Sequence, residues 1–167
     1  MHFIDFIIYP LVYIIKSILT TIHEFGHAIP TLIFTRDEVS IDIGNSNLKK
    51  QLKLNRLIIN INGYKSIADV SYGYVHFNSI NNKFKSILII SGGPVTSLCT
   101  SILLYLILYK IDLPYVIMLV FNAILIFTLG QFVMTSLPIK YSSTGTYKGC
   151  TSDGYKILEL SKQKNIN

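Results

Sequence analysis

Three long apolar runs and one alternating segment divide the chain. The first run covers about residues 3–34, the second about 86–109 and the third about 113–137. A membrane-crossing helix needs roughly 20 apolar residues, and each run reaches that length. Between the first two runs the period shortens to two. Val39-Ser40-Ile41-Asp42-Ile43, Leu52-Lys53-Leu54, Ile58-Ile59-Asn60-Ile61-Asn62 and the stretch from Asp69 to Phe77 alternate apolar and polar residues. Gly44-Asn45, Asn62-Gly63 and the Ser/Asn cluster near Ser79 supply turn chemistry. The pattern predicts an α-helical membrane protein. Three transmembrane helices would carry a small antiparallel β-sheet insert, about residues 39–78, between the first and second.

Within these runs proline marks the expected interruptions. Pro30 cannot donate to the carbonyl of Gly26, so the first helix should bend or end there. Ser91-Gly92-Gly93-Pro94 should interrupt the second, and Pro138 closes the third. Beyond it, residues 139–162 read as a polar loop followed by a short amphipathic helix, with Ser152 as N-cap and Asp153 in its first turn. The 167 residues show no internal repeat and read as a single membrane-embedded domain.

Composition sharpens the membrane reading. Half of the residues are hydrophobic and only 14% are charged, against about 25% in soluble domains. The net charge of +6 would suit a nucleic acid, but the basic residues form no single stripe interleaved with aromatics. Eight of the fifteen Lys and Arg residues lie in residues 36–85 and five follow residue 137. The positive-inside rule then places the strands and the C-terminus in the cytoplasm and the N-terminus outside. Cys99 and Cys150 form no disulfide framework. The first twenty residues lack a basic start and a small-residue cleavage site, so no removable signal peptide is expected. A composition rich in Ile, Asn and Lys and poor in Arg hints at an AT-rich bacterial genome, so the membrane expected for these spans is a bacterial cell membrane.

The chemistry lies in His23-Glu24-Phe25-Gly26-His27. On a helix, residues four apart share a face, so His23 and His27 can bind one ion while Glu24 reaches its water. Ionisable residues within an apolar span are costly and mark function. Two imidazoles leave a catalytic zinc one ligand short of the usual three. The third must come from Asp37, Glu38, Asp42, Asp69, His76, Cys150, Asp153 or Glu159. Asp153 is preferred, because a flexible glycine-containing loop precedes it and Gly154 follows it.

Taken in order, His23-Glu24-Phe25-Gly26-His27, Gly92-Gly93-Pro94 and Leu137-Pro138…Ser152-Asp153-Gly154 resemble the site-2 protease family of intramembrane zinc metalloproteases, in its small three-helix form. The resemblance implies His23, His27 and Asp153 as ligands of a single zinc ion and Glu24 as the catalytic base. It implies that Gly92, Gly93 and Pro94 pack beside the site and contact substrate. The family often carries an asparagine just before the late proline. Thr135 and Ser136 stand there in this chain and are the candidate substrate donors. The implied activity is hydrolysis of a peptide bond in or near a transmembrane segment of a membrane protein or peptide precursor, with the substrate and the lipid bilayer as partners. The strands would hold an unwound substrate by strand addition. A different class of function is a non-catalytic membrane interaction protein on the same scaffold.

Overall fold

A computed structural model of the protein describes residues 3–44, 49–62, 73–76, 80–141 and 149–163, with side chains described from residue 14 onward except at 49 and 62. The chain divides into two compact units, Met1–Asn78 and Ser79–Asn167.

The first unit is one helix against one sheet. Helix α1 spans Phe3–Phe34. Leu19, Thr20, His23, Glu24, His27, Ala28 and Thr31 are buried. Their spacing of three and four residues makes a single stripe, while Ile14, Ile18, Ile29 and Ile33 are exposed. Contrary to expectation, α1 neither ends nor breaks at Pro30. Proline removes only the bond to Gly26, and the last turn is secured in other ways. The Thr31 hydroxyl donates to the His27 carbonyl at 2.7 Å. The Arg56 guanidinium donates to the carbonyls of Thr35 and Leu32 at 2.7 and 2.9 Å, satisfying oxygens that a helix end leaves without partners.

The strands are β1 (Val39–Ile43), β2 (Lys49–Leu54), β3 (Leu57–Asn62) and β4 (Gly73–His76). Their order in the sheet is β2-β3-β1-β4. The sheet is mixed, not antiparallel as its short connections suggest. β1 pairs with β3 in parallel, with Ile41 opposite Ile59, whereas β1–β4 and β2–β3 are antiparallel. The cause is a two-residue turn at Asn55-Arg56, where Asn55 takes φ 55°, a left-handed conformation that asparagine tolerates. This turn closes β2 and β3 into a hairpin, which docks on β1 through β3. Residues 45–48 and 63–72, between the strands, lie outside the described residues, as does most of the alternating run from Asp69 to Phe77.

Alternation then decides what the sheet buries. Val39 and Ile41 of β1 and Val75 of β4 meet Ala28 of α1, with Phe25, Leu32, Ile43 and Leu57 packed around them. Removing the side chain of Ile41, which is fully buried, would cost about 2–5 kcal/mol.

The second unit holds α2 (Lys83–Lys110), α3 (Tyr115–Ser136) and α4 (Asp153–Lys162). Asn82 caps α2, accepting from the Lys85 amide at 3.0 Å. Pro94 lies inside this helix, which continues through Gly92-Gly93-Pro94 without interruption. Its buried residues include Ile89, Gly93, Ser97 and Ser101, a row at four-residue spacing rich in small side chains that let helices approach closely. Ser101 donates to the Thr128 hydroxyl of α3 at 2.9 Å, and Ser97 to the Gln131 side chain at 3.3 Å.

Two helices among the described residues, not three, are long and apolar enough to cross a membrane. These are α2 and α3, so the expected three-helix transmembrane core is corrected. α1 has the length, but Lys16, His23, Glu24 and His27 interrupt the apolar content of its described part.

Candidate metal and acid–base centre

The helical period puts His23 and His27 one turn apart on the buried stripe of α1. Their rings meet edge to face, with centroids 5.0 Å apart and planes at 81°. His23 is 4% exposed, and Glu24 and His27 are each 7% exposed. Burial of this degree is uncommon for ionisable side chains, and it takes all three groups out of bulk water together.

Glu24 meets the sheet at Gly73, the first residue of β4. A β-carbon built on Gly73 would lie 2.6 Å from Glu24 Cγ and 2.7 Å from Glu24 Oε1. Gly73 shares a strand face with Val75, two residues on, which belongs to the core against α1. The glycine therefore makes room for the carboxylate. In the sequence Gly73 stands within an alternating run, and the signal it carries is that of a lone glycine inside a strand pattern, which marks a close approach of backbone to another group.

In the second unit, Asp153 opens α4 and is 9% exposed. Ser152 caps the helix as expected, its hydroxyl accepting from the Tyr155 amide at 3.1 Å. The same hydroxyl donates to the Leu137 carbonyl and accepts from the Ile139 amide at 3.1 Å. Ser152 thus ties the end of α3 to the start of α4. Gly154 allows this approach, since a β-carbon there would overlap the backbone carbonyl of Ser136. Asp153 is paired with Lys156 at 3.3 Å. Burial first, then the Asp153 carboxylate and the Cys150 thiol, push the nearby Tyr141 phenol above its usual value.

Among the described residues, one set of metal-binding side chains qualifies as candidate ligands: His23, His27 and Asp153. Two imidazoles and a carboxylate are the donor types of a catalytic zinc with a position left for water. The other third-ligand candidates are engaged elsewhere or lie on the surface. Asp42 accepts from Asn60 and pairs with His76 at 2.8 Å on the sheet. Glu38 pairs with Lys53 at 2.6 Å, and Cys150 is exposed. Asp69 lies outside the described residues.

The candidate substrate-binding residues are all in the second unit. Thr135 spends its hydroxyl on the Gln131 carbonyl of its own helix, 2.8 Å away. Ser136 and Pro94 line a cavity of about 410 Å³ between α2, α3 and α4, together with Phe132, Gly154 and Leu158. Gly93 is buried within α2 beside Pro94, and Gly92 is partly exposed.

No family model, no curated protein and no solved structure matches this chain.

Proposed function

We propose that the protein is a membrane-associated zinc metalloendopeptidase. His23, His27 and Asp153 hold a single zinc ion, and the substrate is a peptide bond in or near a transmembrane segment. The observation that carries this reading is the joint burial of His23, Glu24 and His27 on one helix face. Ionisable groups gathered and buried at one place are where functional sites are found.

Zinc bound by this donor set supplies a polarised carbonyl and a water of lowered pKa, near 7 in characterised enzymes. The chain's own residues provide the proton traffic. Glu24 accepts a proton from the attacking water as the carbon–oxygen bond forms, then returns it to the departing amine as the carbon–nitrogen bond breaks. The outer strand β4, whose Gly73 backs onto Glu24, offers an unwound substrate a partner for strand addition.

Association with a membrane rests on α2 and α3. Tyr115, Val116, Ile126 and Met134 of α3 are exposed, and its most apolar window is only 6% buried. A core helix of a soluble protein would be covered, and an apolar surface of this extent suits lipid. With α2 and α3 as a hairpin, the basic residues of 36–85 and those after 137 fall on one side, which the positive-inside rule makes cytoplasmic.

The test is to reconstitute the protein with a panel of single-span substrates and follow cleavage by mass spectrometry. Cleavage in or near the span is expected, abolished by a zinc chelator and restored by added zinc. Cleavage indifferent to the chelator, or none across the panel, would contradict the proposal.

A further inference from the structure

The geometry points to Gly73 as the residue that positions the Glu24 carboxylate; the inference rests on the proposed role of Glu24 as base and deepens it. The three atoms nearest to a β-carbon at Gly73 all belong to Glu24: Cγ at 2.6 Å, Oε1 at 2.7 Å and Cδ at 2.9 Å. Atoms at such distances cannot coexist, so one side must yield. β4 is held in register by β1, with Gly73 opposite Ile43 and Val75 opposite Ile41. Val75 and Ile41 are themselves locked into the core with Ala28 of α1. The strand therefore has little freedom to retreat, whereas the Glu24 side chain has three rotatable bonds.

A side chain at position 73 displaces the carboxylate and leaves the fold in place. Glu24 is buried, so few other rotamers are open to it. The bare backbone of Gly73 acts as a wall that holds Glu24 in one orientation. Misplacing a reacting group by about 1 Å costs about 100-fold in rate. Neither His23 nor His27 supplies any of those three nearest atoms.

The experiment combines Gly73→Ala with Glu24→Ala in the full-length protein, reading zinc content, melting temperature and, on a cleaved substrate, kcat and KM. Gly73→Ala is expected to keep the zinc content of the wild type and to lose about 100-fold in kcat with KM nearly unchanged. It is expected to melt a few degrees lower, and Glu24→Ala in the same chain should erase that loss by removing all three crowded atoms. A merely structural glycine would lose stability equally in both backgrounds, and that result overturns the inference. So does a Gly73→Ala protein with wild-type kcat. If the wild type cleaves nothing, the proteolytic reading fails, while the melting-temperature cycle still decides whether Gly73 and Glu24 are coupled.

Discussion

Gly154 lies so close to the backbone carbonyl of Ser136 that a side chain at position 154 would overlap it. The neighbour here is backbone, which cannot swing aside as a side chain can. The residue beside it is Asp153, so the same close approach that joins α4 to α3 sets the position of a candidate ligand. Gly154→Ala is expected to destabilise the protein by about 1–3 kcal/mol, the usual cost of overpacking, read as a lower melting temperature in detergent. Zinc affinity should fall with it.

Ser152 is the second fixture of that corner. Its one hydroxyl serves the Tyr155 amide, the Ile139 amide and the Leu137 carbonyl. Ser152→Ala removes a helix cap, worth about 0.5–2 kcal/mol, and also loosens the link to α3. A value at or above the top of that range is expected from thermal unfolding, with Ser152→Thr recovering most of it.

The metal set makes a sharper demand. Zinc measured in purified protein should fall from a single ion per chain toward none in His23→Ala, His27→Ala and Asp153→Ala. His76→Ala and Cys150→Ala should leave it unchanged, since His76 pairs with Asp42 on the sheet and Cys150 is exposed. Zinc retained by Asp153→Ala would remove the aspartate from the ligand set.

Features written in local order were legible in the sequence. Apolar length gave α2 and α3 nearly to their ends, Ser152 announced the start of α4, and the four-residue spacing of His23 and His27 put both on one face. Features that depend on distant partners were not. The alternation of Val39–Ile43 fixes which side chains are buried but not which strand lies alongside, so the parallel β1–β3 pairing was missed. The hairpin turn was marked only by Asn55. Run length also overvalued α1 as a span, because Lys16 and the motif itself dilute its apolar content. Pro30 and Pro94 looked like breaks, yet both sit within continuous helices whose packing outweighs one missing hydrogen bond.

In the proposed mechanism Glu24 acts as a base beside a zinc held by other residues. Wild type and Glu24→Gln, each purified in the same detergent, are compared for zinc content and for cleavage of the same single-span substrate. Equal zinc is expected in the two proteins, with a loss of at least about 100-fold in cleavage rate for Glu24→Gln, the lower range for removing a general base. Equal cleavage by the two proteins, or a wild type that cleaves without zinc, would contradict it.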